Sequence, residues 1–371
     1  MKLEPHLPRL PSIGELLEHP RVREIVGRIN RSTIAQRATG FIEELRTSLV
    51  ERAGHLEIPP ISQLAERLAR RLLGEEASGM AAINATGVVV GDPAFAPPLA
   101  EKAVHAMLQA ASEYHRREAL LAPLERDLSR LAGAESALVC SSFAGAVALC
   151  RAATAAMPCR LDVEPLAGLL NPGDYGFQPI STLAERASAG ADVVIADGSG
   201  LIGGPACGVI VGRRRFINAM AAHEHAASLA LDSLRAAALR ATLDAYGEGQ
   251  AETAMFQIPV WQLLSAPLAN LQQRAERLAL LAAQSPGVAS ADAREAESAW
   301  ALRDAEELRA TSWSVAVAPT NGDAASLAAR LGRGERPIAA TVTAGCVHLE
   351  LRSVFPRWDQ QLIAGLDAAG K

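Results

Sequence analysis

Apolar residues recur at helical spacing through Leu16, Leu17, Val22, Ile25, Val26 and Ile29, which predicts an amphipathic helix near the start of the chain. Ser12-Ile-Gly-Glu15 precedes it as a capping box, in which the serine hydroxyl serves the Glu15 amide and the glutamate returns to the Ser12 amide. The same periodicity returns over Ser32–Arg52 and Ser62–Leu73, separated by His55-Leu-Glu-Ile-Pro-Pro60. Residues 1–79 therefore read as a small helical N-terminal domain.

From Met80 the pattern alternates between short β-rich runs and helices. Amphipathic helices are expected over Pro98–Ala111 and Ala119–Ala132, and Gly133–Val147 reads as a strand, a small-residue turn holding Ser141, Ser142 and Phe143, and a helix. Such a turn aims backbone N–H groups and the positive end of a helix outward, an arrangement suited to phosphate; a plain buried connection is the alternative. The interval from Ala156 to Asp192 has room for one crossover unit and a loop. Asp192–Ala196 and Gly208–Val211 are β-rich runs flanking a turn with Gly198, Gly200, Gly203 and Gly204, so the backbone there bends sharply or admits a close neighbour. Helices follow over Ser228–Tyr246 and Pro267–Gln284. A strand at Trp313–Ala318, a helix at Ala324–Leu331, strands at Ile338–Val342 and Val347–Leu351 and a helix at Asp359–Ala369 then predict an α+β lobe.

Composition narrows the class without naming a partner. The chain has 371 residues, 49% hydrophobic and 21% charged, enough for two or three domains with ample core, and its 4% aromatics leave that core to Ala, Leu, Val and Ile. A net charge of −5 gives no global signature of nucleic-acid binding. In residues 1–79 the 12 basic and 11 acidic side chains nearly cancel; Arg21, Arg23, Arg28, Arg31 and Arg37 either gather as a cationic face or are spread over solvated helix surfaces. No apolar run reaches membrane-span length and the N-terminus lacks a signal-peptide core, so a cytoplasmic protein without a membrane partner is expected.

The candidate chemistry is sparse. Cys140, Cys150, Cys159, Cys207 and Cys346 are scattered without CxxC spacing, which indicates neither a disulfide framework nor zinc and leaves them as small hydrophobes. His223-Glu-His225 on a helix points its imidazoles to different sides and makes a poor metal pair. The only lysines are Lys2, Lys102 and Lys371, and Lys102 falls on an amphipathic helix where a solvated surface role is the simpler reading.

Several stretches resemble the bacterial selenocysteine synthase family, whose members use pyridoxal phosphate (PLP) to convert seryl-tRNA to selenocysteyl-tRNA. Asp192-Val-Val-Ile-Ala-Asp-Gly-Ser-Gly-Leu-Ile-Gly-Gly-Pro-Ala-Cys-Gly-Val-Ile-Val-Gly212 is similar, without a gap, to the segment carrying that family's cofactor lysine. Leu10-Pro-Ser-Ile-Gly-Glu-Leu-Leu17, Ile83-Asn-Ala-Thr-Gly-Val-Val-Val90, Val163-Glu-Pro-Leu-Ala-Gly168 with Asp174-Tyr-Gly-Phe177, and Leu349-Glu-Leu-Arg-Ser-Val354 resemble further family motifs. The resemblance spans Leu10 to Leu366 apart from a shortened middle. It implies an α/β, fold type I PLP-dependent transferase-like fold: a helical N-terminal domain (1–79), a truncated large domain (80–257) and a small α+β C-terminal domain (258–371).

The same alignment implies that the chemical groups are missing. Gly200 stands at the aldimine lysine and Ser199 at the aspartate before it; Pro165 replaces the aspartate partnering the pyridinium nitrogen. Ala227 and Ala230 replace an arginine pair that receives an anion, while Asp232 is kept. Ser141 and Ser142 occupy the phosphate turn, and Arg352 aligns with a substrate-facing arginine that here is either retained for an anion or structural. A PLP enzyme needs a lysine amine for its Schiff base. The expectation is therefore a non-catalytic relative with no cofactor, PLP entering only if held without the usual lysine. It would act as a homo-oligomer, as a hetero-oligomer with a true selenocysteine synthase, or on tRNA through the N-terminal domain. An active selenium transferase with divergent cofactor use and a sensor of tRNA or small molecules are the alternatives.

Overall fold

Ser12 caps the first helix as its spacing predicts. Its Oγ accepts from the Glu15 amide at 3.2 Å, and its own amide donates to Glu15 Oε2 at 2.7 Å. This computed structural model describes residues 11–20, 22–23, 34, 38–43, 60–72, 81–112, 114, 116–247, 251–304, 306–334 and 336–370. The chain divides into two compact units, Met1–Ala81 and Ala82–Lys371.

In the first unit, helix α1 (Ile13–Glu18) ends earlier than the continuous apolar period suggests. His19 is extended (φ −63°, ψ 134°) because Pro20 follows it, and a residue before proline is driven out of the helical region. Residues 38–43 are helical, and α2 spans Ile61–Leu72. Leu16, Val22, Ile34, Phe41, Leu64 and Leu68 form the unit's core. Of the arginines considered as a cationic face, Arg23 is described and exposed; Arg21, Arg28, Arg31 and Arg37 lie outside the described residues.

The second unit contains two sheets. Strand β1 (Ile83–Ala85) is followed by α3 (Glu101–Ser112), α4 (Arg117–Leu131), β2 (Ser136–Cys140), α5 (Phe143–Ala153), β3 (Leu161–Val163), α6 (Leu183–Ser188), β4 (Val193–Asp197) and β5 (Gly208–Gly212). Strands β2, β5, β4 and β3 lie side by side in that order, parallel between β3 and β4 and antiparallel elsewhere. The run of buried residues in β4 and all of β5 is what a strand covered on both faces requires. Helices α4 and α5 cover this sheet with Leu124, Leu128, Leu149 and Cys150.

After α7 (Arg214–Ala221), the helix expected over Ser228–Tyr246 is split into α8 (Ala226–Leu229) and α9 (Ser233–Asp244). Ala230 breaks away to bridge Cys140, and Asp232 starts the new helix by accepting from the Arg235 amide at 3.0 Å. Helices α10 (Ala251–Gln257), α11 (Pro259–Leu264) and α12 (Leu268–Ala282) lead to the second sheet. That sheet holds β6 (Val288–Arg303), β7 (Glu306–Pro319), β8 (Ile338–Thr343) and β9 (Cys346–Glu350), with α13 (Ala324–Leu331) and α14 (Asp359–Ala369) packed on it. Its order is β1-β8-β9-β7-β6, so the strand at Ile83–Ala85 joins the C-terminal sheet, parallel to β8.

That junction explains two of the recognised motifs. Asn84 Oδ1 accepts from the Thr86 amide and hydroxyl, at 3.1 and 2.7 Å, and its Nδ2 donates to the Val88 carbonyl. The Gly87 amide (φ +93°) donates to Ser353 Oγ, which donates in turn to the Asn84 carbonyl at 2.8 Å. Asn84-Ala-Thr-Gly87 and Leu349-Glu-Leu-Arg-Ser353, far apart in the chain, thus form one hydrogen-bonded corner. A Cβ at Gly87 would stand 3.1 Å from the Ala299 carbonyl oxygen.

Candidate functional site

The glycine-rich connection between β4 and β5 is folded tightly on itself. Asp197 Oδ1 accepts from the Ser199 amide and hydroxyl at 2.9 and 2.8 Å. The Gly200 amide returns to the Asp197 carbonyl, the Gly203 amide to Gly200 and the Gly204 amide to Gly198. From outside the loop, Trp261 Nε1 donates to the Leu201 carbonyl at 3.0 Å and lies 2.9 Å from Tyr246 Oη, which reaches the Ile202 carbonyl at 2.8 Å. Leu201, Ile202 and Trp261 are fully buried.

Gly200 and Pro165, read from sequence as the replaced lysine and the replaced aspartate, are brought together. A Cβ built on Gly200 would lie 2.8 Å from the Pro165 carbonyl oxygen, 3.3 Å from the Asp197 carbonyl oxygen and 3.5 Å from Leu166 Cα. The first distance is shorter than non-bonded Cβ contacts allow, so residue 200 must be glycine unless the backbone moves. The Pro165 carbonyl is also engaged, accepting from the Asp197 amide at 3.1 Å. Its segment is fixed by Arg186, which holds both Asp162 oxygens at 2.8 and 3.0 Å and Glu164 at 3.2 Å, and by Arg303, 3.6 Å from Glu164.

The turn between β2 and α5 places Ser141 and Ser142 at the start of a helix, where the Ser142 hydroxyl and the Ser141 amide are engaged by the chain itself. Ser142 Oγ caps α5 by accepting from the Gly145 amide at 3.0 Å; the Ser141 amide donates to the Leu229 carbonyl at 2.7 Å. Leu229 Cδ2 lies 3.1 Å from where a Cβ on Gly145 would stand, so this side chain covers the first turn. Arg235 is committed to Asp232, the Ser141 carbonyl and the Ala206 carbonyl at 2.6, 2.6 and 3.0 Å. Although partial burial pushes the other way, these Arg235 contacts hold the Asp232 carboxyl below its ordinary pKa. Ala227 is exposed and Ala230 half-buried, contributing no cation.

Arg352 lies elsewhere, at the edge of a cleft of ≈ 510 Å³ lined also by Tyr175, Phe177, Ser265, Glu297, Arg309 and Thr311. It is 4% exposed. Its guanidinium donates to the Thr311 carbonyl at 2.9 Å and the Leu264 carbonyl at 3.4 Å and sits 5.1 Å above the Phe177 ring, while Nε has no partner. Among the described residues no carboxylate pairs with it, and burial lowers its pKa. The wall formed by Glu297, Arg309 and Thr311 was not legible as a site. It comes from the β6–β7 hairpin, where only Trp313–Ala318 reads as a strand. Neither Ala296–Ala301 nor Leu308–Trp313 keeps a period-two alternation of polar and apolar residues, so no local pattern marked it.

Lys102 lies exposed on α3. His223 and His225 are adjacent, with the His225 amide donating to His223 Nδ1, and among the described residues no group of three or more potential metal ligands occurs. No described helix is long and apolar enough to cross a membrane.

Comparison with known proteins agrees with the motifs. Residues 167–355 match the profile of the L-seryl-tRNA selenium transferase family. The L-seryl-tRNA(Sec) selenium transferase of Moorella thermoacetica is 27% identical, covering 97% of this chain and 96% of its own length. That alignment runs over 461 positions against a chain of 371 residues, so the relative carries segments with no counterpart here. The Carboxydothermus hydrogenoformans enzyme of the same name is 26% identical over 80% of this chain and 84% of its own. Among solved structures, D-glucosaminate-6-phosphate ammonia-lyase superposes with a TM-score of 0.51 at 18% identity, over 78% of this chain and 96% of that one. The fold is that of the fold type I PLP-dependent enzymes, in a version with mixed sheets. With its motifs, its profile match and its full-length relatives in agreement, the chain belongs to the L-seryl-tRNA selenium transferase family.

Proposed function

We propose that this chain is a family member that no longer performs PLP chemistry and serves instead as a binding or assembly protein tied to selenocysteyl-tRNA synthesis. The observation that carries the reading is the contact between Gly200 and Pro165. The position aligned with the aldimine lysine has no side chain, and the space a Cβ would enter is filled by the backbone aligned with the pyridinium partner. PLP does not fit these residues. No lysine is near the loop in sequence, Pro165 offers no carboxylate, and at the turn the Ser141 amide is already taken by the Leu229 carbonyl.

On this reading the retained fold supports self-association or association with a catalytic synthase, and residues 1–79 retain a tRNA contact. The test begins with absorbance of the purified protein before and after PLP and borohydride. No reducible band is expected; a band that reduction fixes on Lys102 would count against the non-catalytic reading, and seryl-tRNA conversion by this chain alone would then decide for a working transferase with divergent cofactor use. Seryl-tRNA conversion by a catalytic synthase, measured with and without this protein, then reads the assembly role. A changed rate or a co-eluting complex supports it, and neither effect at stoichiometric excess overturns it.

A second reading, a small-molecule sensor, is favoured by one observation. Arg352 is a buried cation without a described carboxylate partner at the edge of an open cleft, and such a group is stabilised by an anion. Calorimetric titration with inorganic phosphate and with acetate tests it, with loss of binding in Arg352→Gln as the expected result.

A further inference from the structure

We propose that the open edge of β6 is a self-association surface, on which a second copy of this chain lays the same strand antiparallel and continues the sheet across a two-fold axis at Ala293. The proposal rests on the self-association named above and gives it a surface. Strand β6 is the outermost in the order β1-β8-β9-β7-β6, so one side of it pairs with β7 and the other pairs with no complete strand among the described residues. Alternate residues of a strand turn their N–H and C=O groups to each side, which makes such an edge a template for another strand. Toward the hairpin end the edge is closed. The Val89 amide donates to the Trp300 carbonyl, Val90 bridges Ala301, and the Arg309 guanidinium donates to the Glu297 carbonyl at 3.0 Å. The open part is Ser290–Ala296, in unbroken register with β7 from Ala318 to Ser312, and Ala293 is its middle residue.

The side chains of this segment select the occupant. Ala291 and Ala293 are partly buried against the cluster that holds Leu271 and Leu278 of α12, which puts Asp292 and Arg294 on the opposite face, both exposed. Neither charge has an ion-pair partner among the described residues, and two positions along one strand leave them about 7 Å apart. In a second copy running antiparallel about Ala293, Asp292 lies opposite Arg294 and Arg294 opposite Asp292. Both unpaired charges thereby gain an opposite charge directly across the strands. On the other face Ala293 meets Ala293, so no bulky side chain stands at the axis.

The same charges disfavour the neighbouring registers. Moving the axis to Asp292 sets aspartate against aspartate, and moving it to Arg294 sets arginine against arginine. The two half-way registers turn the core faces of the copies to opposite sides of the joined sheet, and one of them also sets Asp292 against Glu295 twice. Charges on an edge strand ordinarily deter pairing. Here they deter all but a strand whose charges run in the reverse order, which the same segment of a second copy supplies, as an isologous two-fold contact requires.

The test is sedimentation velocity of the full chain over a dilution series, for wild type, Asp292→Arg and Arg294→Asp. Both positions are exposed, so the fold should be kept, with circular dichroism and Tm as the check. Wild type should sediment as a dimer or a multiple of one. Asp292→Arg sets cation against cation twice across the axis and Arg294→Asp sets carboxylate against carboxylate twice, so each variant alone should shift to half the wild-type mass, with a Kd weaker by about tenfold or more. An equimolar mixture of the two variants should recover the wild-type mass, because the cations of one then face the carboxylates of the other. The double variant Asp292→Arg/Arg294→Asp should recover it as well. If wild type is monomeric at every concentration, the edge contact and self-association fall together. If wild type is oligomeric and both single variants match it, or if the mixture stays dissociated, the edge contact is overturned while self-association through another surface stands.

Discussion

The Cβ direction of Gly200 points at the Pro165 carbonyl oxygen, with 2.8 Å between the built atom and that oxygen. Gly200 and Pro165, which the sequence motifs compare with separate parts of a cofactor site, are in this chain packed against each other. Restoring the lysine alone should therefore fail. Gly200→Lys must displace the strand extension held by Pro165, Glu164 and Arg186, and overpacking of this kind costs about 1–3 kcal/mol. We expect a lowered Tm for both Gly200→Ala and Gly200→Lys, and no PLP absorbance band in the lysine variant. A stable Gly200→Lys protein with a reducible band would mean that the loop opens freely.

Tyr246 and Trp261 hold the other side of the same loop. Tyr246 is buried with its hydroxyl between the Trp261 Nε1 and the Ile202 carbonyl, and burial raises its pKa. Tyr246→Phe leaves that carbonyl without its donor at about 1–2 kcal/mol, whereas Trp261→Ala empties a large core volume at about 3–5 kcal/mol. Denaturant midpoints should rank the variants in that order. Equal stability of Tyr246→Phe and wild type would show that the loop is held by its internal glycine turns alone.

Part of this architecture was legible because the local signals agree with the tertiary result. Ser12 and Glu15 cap their helix, and the runs around the glycine-rich turn form neighbouring antiparallel strands in β4 and β5. The β6–β7 hairpin was largely illegible, since Ala291–Glu297 mixes alanine with Asp292, Arg294, Glu295 and Glu297, a composition poor in strand formers, and only pairing with β7 makes it a strand. Ser228–Tyr246 misled because alanine and leucine favour helix throughout, while the bridge from Ala230 to Cys140 depends on a residue far away in sequence. For the site, residue identities in the family-like motifs suggest which positions to inspect. That Gly200 and Pro165 close on each other, and that Leu229 bonds Ser141 and packs beside Gly145, are facts of packing that no local pattern carries.

Glu125, half-buried on α4, provides a pH signature. Burial raises its pKa from 4.5 to about 7, with the hydrogen bond to the Val139 backbone opposing. In the folded protein it binds its proton more tightly than in the unfolded chain, so its presence costs nothing at low pH. Stability declines as pH rises between about 4.5 and 7 and is level above that. Discounted for its partial exposure, the effect is about 1–2 kcal/mol. Glu125→Gln should raise the Tm at a mildly alkaline pH and leave it unchanged near pH 4. A variant equally stabilised at both pH values would assign the gain to something other than ionisation.

Arg352 separates a retained binding group from a structural remnant. Its carbonyl contacts to Thr311 and Leu264 contribute on the order of 1 kcal/mol each, while desolvation of the guanidinium opposes them. Arg352→Gln should therefore change the Tm in phosphate-free buffer by only a few degrees. In wild type, millimolar phosphate should raise the Tm, since a ligand at a hundred times its Kd stabilises by about 2.7 kcal/mol, and the variant should lose that increment. If phosphate and acetate stabilise neither protein while Arg352→Gln unfolds the chain, Arg352 is a brace between β7 and α11 and the cleft is not an anion site. If both proteins gain equally, the anion binds elsewhere, and the lone buried guanidinium is held by its two carbonyls and the Phe177 ring alone.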